Sequence, residues 1–436
     1  MSTYVSTTIV LVAMVAAFVI SSLLLKSPDI SLAIAATVAV CFGCGFGWTD
    51  SLPRVLVEGL FVNLDIALLF IAASIFVNIY SKTGAIDVVT RKIVSRVSNK
   101  WILLAIMGVM MIIPGALTGA GSISIFVLGS MVTTVVSAMG LSKKKTAAFV
   151  FMFAIMSAAA PPVNLWAMMI ASGCDIPYVG FDVPLLAPLA VCALFTIIFL
   201  GWGSKPKSKE EILAQLPEAP KMSAWRIVTP LVVLIALFLA SNYLAHSIPV
   251  LGLPLMFIIC AIVAALCKKM QYLYNDGADF YFMDNDTFEQ IFPLIATVLS
   301  VGMLQNAMSA TGVKGLIGIT FITMPVYLIY ATVLFVAPVL QGALNYGSAV
   351  VFGAPLIFMF NSMGYDPKIA AIALSLMFPI GDCLPPSRIT GRLAIEATGY
   401  EGKYTSFLLT VLAPCLVLGL ISLAMLIWPN SFTFLL

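Results

Sequence analysis

The chain interrupts its own hydrophobic sequence twice, in the same way, at an offset of 224 residues. The first interruption reads GALTGAGSISIFVLGSM, then AMGLSKKKTAA, then SAAAPPVNLW, from Gly115 to Trp166. The second reads QGALNYGSAVVFGAPL, then SMGYDPKIAA, then GDCLPPSRIT, from Gln341 to Thr390. The offset carries Ser124 onto Ser348, Gly129 onto Gly353, Gly140 onto Gly364 and Pro161-Pro162 onto Pro385-Pro386. Lipid cannot satisfy free backbone N–H and C=O groups. Broken backbone at membrane depth therefore has to be buried in protein or line a polar cavity. A matched pair of such breaks points to a repeat-built secondary transporter.

The membrane reading rests on composition. Hydrophobic residues make up 61% of the 436 and charged residues 9%, where a soluble domain carries about 25% charge. The expected fold is all-α, a polytopic membrane protein of about 11–12 transmembrane helices. It contains two structural repeats, each with a reentrant hairpin and a Pro-Pro-broken helix. The N-terminal half, 1–202, holds the first hairpin near 115–140. A polar linker, 203–224, leads to the C-terminal half, 225–436, with its hairpin near 342–363. The N-terminal apolar run lacks a basic n-region and a small-residue cleavage site, so it reads as a retained helix.

The repeat extends upstream. LFIAASIFVNIYSKTG (69–84) matches LIATVLSVGMLQNAMSATG (294–312), with Asn78 on Asn306 and Thr83-Gly84 on Thr311-Gly312 at an offset of 228. Short helices at 85–99 and 313–323 follow, expected to lie along the membrane surface. Twelve full crossings would set the two copies parallel. An inverted repeat needs an odd number between them, so one apolar segment would not cross.

Charge and cysteine exclude several function classes. The net charge of +3 gives no footprint for nucleic acid. The basic clusters Lys143-Lys144-Lys145, Lys205 to Arg226 and Lys268-Lys269 belong on the cytoplasmic side by the positive-inside rule. Arg91, Lys92, Arg96 and Lys100 fall on the first surface arm. The eight cysteines show no disulfide or metal spacing, and His246 is the single histidine. The chain is expected not to be an enzyme and to use no cofactor. The acidic loop 270–290 (Asp276, Asp279, Asp284, Asp286, Glu289) lacks EF-hand spacing and reads as a solvated loop or a partner-docking patch.

The candidate site residues cluster at the breaks. Thr118, Gly119, Ser122 and Ser124 in the first hairpin, and Asn345, Gly347 and Ser348 in the second, combine close backbone approach with hydroxyl and amide oxygens. Such oxygens suit a coupling cation, with sodium the expected ion. The bland alternative is small-residue helix packing. Each Pro-Pro pair frees carbonyls on the preceding turn, around 158–160 and 382–384; a static kink is the alternative. Asn164 and, 224 residues later, Arg388 flank the breaks. With Ser387 and Asn345 they are the expected substrate contacts, Arg388 clamping a carboxylate by paired hydrogen bonds. Asp382 faces a cation or pairs with Arg388. Arg392 and Glu396, spaced i, i+4, are expected to pair. Asp65 reads either as an interfacial residue at a helix start or as a cation site.

At these residues the chain resembles the large membrane subunit of TRAP transporters, the DctM-like permeases of the ion transporter superfamily. The first-half pattern is Gly115 to Ser130, Met139-Gly140 and Pro161-Pro162. The second-half pattern is Ala354-Pro355-Leu356, Gly364-Tyr365-Asp366-Pro367 and Gly381 with Pro385-Pro386. The chain departs from that family at Ser387-Arg388-Ile389-Thr390, at Val163-Asn164, and in the acidic loop. The resemblance implies an elevator-type, sodium-coupled symporter that takes up a carboxylate or other small organic anion across a bacterial inner membrane. It also implies a small membrane subunit and an extracytoplasmic solute-binding protein as partners. The alternative is a partner-free cation-coupled carrier or antiporter of the same superfamily.

Overall fold

The computed structural model describes residues 3–49, 51–218, 223–243, 252–267 and 285–436. Every regular element among them is helical. The first half runs α1 (Thr3–Leu25), α2 (Pro28–Gly45), α3 (Leu52–Val62), α4 (Leu64–Lys82), α5 (Ala85–Arg96), α6 (Lys100–Thr118), α7 (Gly121–Ala138), α8 (Lys143–Ala159), α9 (Leu165–Gly173) and α10 (Asp182–Gly201). The linker carries α11 (Lys209–Gln215). The second half runs α12 (Ala224–Tyr243), α13 (Leu253–Cys267), α14 (Asn285–Ala310), α15 (Val313–Thr323) and α16 (Val326–Leu344). A π-helical turn, Ala349–Gly353, then leads into α17 (Ala354–Ser362), and α18 (Pro367–Met377) continues as a 3-10 turn, Phe378–Cys383. The chain ends with α19 (Ile389–Thr398), α20 (Tyr404–Ile427) and two short 3-10 turns. Nine of the described helices are long and apolar enough to cross a bilayer, so the chain is a polytopic helical membrane protein. His246 and most of the acidic loop lie outside the described residues.

From α4 to α10 and from α14 to α20 the elements follow one order, and local chemistry sets the same boundaries in both. Gly84 and Gly312 adopt φ of 73° and 72° after their threonines and open α5 and α15, a conformation that costs glycine little. Ser142 accepts from the Lys145 N–H to cap α8, and Asp366, 224 residues on, accepts from Lys368 to cap α18. Such caps satisfy N–H groups that the first turn leaves free. Pro114 and Pro338 sit inside α6 and α16.

Polar contacts sort the turns onto two faces. On one face, Lys100 Nζ donates to the Gly201 and Ser204 carbonyls at 2.9 Å, and Lys207 N donates to the Ala138 carbonyl at 2.8 Å. Arg91 reaches the Leu213 and Leu216 carbonyls at 3.1 Å, tying α5 to the linker. Lys143 Nζ donates to the Gly399 carbonyl at 3.2 Å. On the other face, Lys314 of α15 donates to the Gly173 carbonyl, Gly180 lies against Lys368, and the Tyr330 and Tyr365 hydroxyls meet at 3.1 Å.

These contacts give direction. The pair α6–α7 leaves the lysine-rich face and returns to it, and α16–α17 leaves and returns to the opposite face. The segments expected to cross near 101–114 and 325–341 are therefore the first arms of helical hairpins. Lys144 Nζ reaches Ser406 Oγ at 3.4 Å and Lys145 Nζ the Trp202 carbonyl at 3.1 Å, so α20 begins where α10 ends. The two helices, equivalent by offset, run antiparallel and meet midway, where Cys192 Sγ lies 3.7 Å from the Pro414 carbonyl.

Burial places the broken helices at the centre. Every residue from Thr146 to Ala160 is buried, including Phe149, Phe151 and Phe153, and Ile369 to Met377 of α18 is enclosed in the same way. A helix apolar all round belongs inside a bundle or in lipid; α8 and α18 are inside. By contrast α1 shows Leu23 and Leu24 at 74% and 75% exposure, a lipid-facing surface.

Candidate functional site: two hairpin turns and two helix breaks

The first break runs from Ala160 to Asn164, which is fully buried. Asn164 Oδ1 accepts from the Ala167 N–H at 3.0 Å and caps α9. Its Nδ2 donates to the Ala159 carbonyl at 2.9 Å and to Ser375 Oγ of α18 at 3.1 Å. One side chain thus closes the break and ties it to the other half. Val163 N donates to the Ala116 carbonyl at 3.0 Å, so the broken segment docks on the end of α6.

The first hairpin turns at Gly119, φ 74°. A Cβ there would meet Leu165 Cγ at 2.5 Å, so this turn needs glycine for space as well as for conformation. Thr118 Oγ1 donates to the Pro114 carbonyl at 2.8 Å, and the Ser124 and Ser157 hydroxyls are 3.0 Å apart. All three side chains are fully buried. A hydroxyl that donates its proton to a neighbour keeps lone pairs for a cation. Ser122 lies apart from them, on the wall of a cleft.

The second hairpin turns at Asn345, whose φ of 53° and ψ of −136° lie where non-glycine residues are strained, at a cost of about 1–3 kcal/mol. Ser348 Oγ donates to Gln341 Oε1 at 2.6 Å. Gly347 packs against Leu32 of α2, its built Cβ 3.3 Å from Leu32 Cδ2, and faces no polar group there. Ser387 Oγ donates to the Gly342 carbonyl at 2.9 Å, docking the second break on the end of α16.

Gln341 joins these parts. Its Oε1 accepts from Trp166 Nε1 at 2.8 Å, and its Nε2 donates to Asp382 Oδ1 at 2.9 Å. Thr390 Oγ1 donates to Asp382 Oδ2 at 3.0 Å. Tyr346 Oη donates to the Gly119 carbonyl at 3.2 Å, linking one hairpin turn to the other. Sequence reasoning missed Gln341, Trp166, Tyr346, Ser375 and Thr390 as site residues. Gln341 left one trace: it is a polar residue where the offset puts Leu117 in the first half.

Two expected pairings do not form. Asp382 takes its bonds from Gln341 and Thr390, while the Arg388 guanidinium stacks 4.9 Å from the Tyr404 ring centre. Arg388 adopts φ 51°, and its Nε is buried without a partner. Arg392 and Glu396 do not pair either; Arg392 lines the cleft instead. Asp65 is exposed in the first turn of α4, outside that cleft.

The cleft holds about 730 Å3 and is lined by Ser122, Asn345, Ser387 and Arg392 on one side and by Asp29, Glu289 and Thr297 on the other. Thr297 Oγ1 donates to Asp29 Oδ1 at 2.6 Å. Asp29 begins α2, and Glu289 lies in the first turns of α14, both at their lysine-rich ends. The cleft therefore runs from the lysine-rich face to both hairpin turns and the second break. It brings together Ser122, Asn345 and Ser387, while Thr118, Ser124, Ser348, Asn164 and Asp382 do not line it and are held in hydrogen bonds of their own.

Comparison with solved structures finds this fold in membrane transporters. The crystal structure of the Alcanivorax borkumensis YdaH transporter superposes with a TM-score of 0.61 at 15% identity, covering 89% of this chain and 90% of that one. Neisseria gonorrhoeae MtrF, described with a class of antimetabolite efflux pumps, superposes at 0.54 and 13% identity over 87% and 84%. One short segment is similar to a different protein. Residues 267–293 match the family model of the Elongation factor P (EF-P) OB domain. Over 24 residues the chain is 67% identical to elongation factor P of Desulforudis audaxviator and 75% identical to that of Mesoplasma florum. That match covers 6% of this chain and 13% of those proteins, so the chain spans only about an eighth of the length of these relatives. It falls on the atypical acidic loop, and residues 268–284 of it lie outside the described residues. What these likenesses show is the fold, a polytopic helical membrane protein.

Proposed function

We propose that the chain is a secondary active transporter that couples a cation gradient, with sodium the expected ion, to movement of a small organic anion. The observation that carries this reading is the cleft that ends at Asn345, Ser387 and Ser122 with Arg392 on its wall. On the wall of Ser122, Asn345, Ser387 and Arg392, neutral hydrogen-bonding groups and one guanidinium suit a carboxylate, while Asp29 and Glu289 on the opposite wall suit a cation entering with it. The hydroxyls of Thr118, Ser124 and Ser348 and the Asp382 carboxylate, held in hydrogen bonds of their own, suit a desolvated cation. No covalent chemistry is required, and the chain acts as a carrier, not an enzyme.

In this reading the hairpins are reentrant, and the two antiparallel halves form an inverted repeat. The lysine-rich face is cytoplasmic by the positive-inside rule, in a bacterial inner membrane, and the cleft is the inward-open state. The hairpins and broken helices move as one body against the remaining helices, an elevator motion.

Partners divide two readings. The motifs at 354–356, 364–367 and 385–386 support a TRAP large subunit working with a small membrane subunit and a solute-binding protein. The likeness to YdaH and MtrF over most of each chain supports a carrier that works alone. Uptake into proteoliposomes containing this chain alone, with and without a sodium gradient, separates them. Sodium-driven uptake of a carboxylate by the chain alone supports the second reading. Uptake only when a binding protein and small subunit are added supports the first. Carboxylate movement indifferent to every cation gradient would sink the coupling proposal, and unchanged uptake by Arg392→Ala and Ser387→Ala would sink the site.

A further inference from the structure

We propose that the crevice between the lysine-capped start of α8 and helices α10 and α20 binds an anionic phospholipid at the lysine-rich face of the membrane. The crevice holds about 850 Å3. Its polar end is Ser142, Lys144, Lys145 and Thr410, and its apolar wall includes Phe195, Phe199 and Leu409.

The lysines break a local rule. Lys143, Lys144 and Lys145 occupy the first turn of α8, where the helix dipole disfavours cations. No carboxylate pairs with Lys144 or Lys145 among the described residues. Their ammonium groups reach only neutral oxygens, Ser406 Oγ at 3.4 Å and the Trp202 carbonyl at 3.1 Å. Two half-buried cations with no counter-ion leave room for an anion between them. What lies beside them decides its kind. Ile198, Phe199, Trp202 and Leu409 are 51%, 41%, 71% and 72% exposed, and they continue from the lysines along the lipid-facing flank of α10 and α20. A free phosphate would use only the lysine end. A phospholipid uses both, its phosphodiester on the lysines and its acyl chain on the apolar wall. Trp202 at the boundary suits the headgroup level. Bound there, one lipid would span the first turn of α8 and the antiparallel pair α10 and α20.

The test uses the full chain in a neutral detergent. Thermal melting is followed while phosphatidylglycerol, phosphatidylcholine of the same chains, or inorganic phosphate is added. Native mass spectrometry counts the lipids retained. Phosphatidylglycerol should raise the melting temperature progressively with the logarithm of its concentration and remain bound, and the other two additions should not. The double variant Lys144→Gln, Lys145→Gln should lose both effects with its lipid-free melting unchanged. Should that variant fail to fold, Leu409→Trp, which fills the apolar wall and leaves the lysines in place, should lose them instead. An equal shift with phosphatidylcholine, a shift reproduced by inorganic phosphate, or retained phosphatidylglycerol in the variants would overturn the proposal.

Discussion

The hydroxyls of Ser124 and Ser157 lie 3.0 Å apart in the first half, and the second half makes the equivalent contact with a different residue. Ser348 stands for Ser124, but Gly381 stands where Ser157 would be. The missing partner is supplied by Gln341, whose amide Oε1 accepts from Ser348 Oγ at 2.6 Å. Gly381 creates the space: a Cβ on it would lie 2.7 Å from Gln341 Cβ and 2.0 Å from the Pro338 carbonyl. One serine is held from the broken helix, the other from the hairpin arm.

Gly381→Ser, which would restore the first-half residue, should therefore destabilise. The Pro338 carbonyl is backbone and cannot swing aside, so overpacking costs about 1–3 kcal/mol. Gly318→Ala in α15 is the control, because nothing lies within 4 Å of a Cβ there and alanine favours a helix by up to about 1 kcal/mol. Thermal melting in detergent should fall for the first and hold or rise for the second.

Gln341→Leu copies Leu117 of the first half and should be worse than its size suggests. It strips the partner from Trp166 Nε1 and from Asp382 Oδ1 at once, while Ser348 Oγ keeps the Asn345 carbonyl. Each buried polar group left unpaired costs about 1–3 kcal/mol. Melting should drop, and reconstituted uptake should be lost. Uptake at the level of the unmodified chain would show that this network does not serve transport.

Tyr346→Phe removes only the hydroxyl that joins the hairpin turns through the Gly119 carbonyl. A stability loss of about 1 kcal/mol is expected. The larger effect is expected on transport, since the two turns would no longer move together. A single-turnover uptake assay should show slowed translocation with substrate affinity little changed.

Asp382→Asn keeps a side chain of the same shape but no charge, and one of its two acceptors becomes a donor facing Gln341 or Thr390. The variant should fold and lose the dependence of uptake on the cation gradient. Uptake that keeps its full response to sodium would remove Asp382 from the coupling site.

Cys174, in the loop after α9, donates to the Ala354 carbonyl at 3.4 Å. Burial pushes its thiol up to about 12, against the opposing pull of Lys314. Raised above its ordinary value, the group stays neutral in the folded state, and the reactive thiolate is scarce near neutral pH. In a variant with Cys174 as the single cysteine, maleimide labelling should accelerate about tenfold per pH unit, with no plateau up to pH 10. A plateau near pH 9 would mean that the loop opens and frees the thiol.

The sequence by itself determined what depends on residue type and spacing. Apolar content required helices in lipid, Pro161-Pro162 and Pro385-Pro386 required breaks, and the offset of 224 matched Gly140 to Gly364, the turns just ahead of α8 and α18. Ser122, Asn345 and Ser387 stood out in the sequence as polar residues beside a break, and the structure sets all three on one cleft. The tertiary structure alone decided direction and partnership. That α10 and α20 run antiparallel follows from the contacts of Lys144 and Lys145 at their ends, which apolar content does not encode. Arg388 stacks on Tyr404 and forms no ion pair with Asp382, a choice made by packing that residue spacing does not encode. Gln341 gathers Trp166, Ser348 and Asp382 from separate elements, and only packing could bring those to one amide.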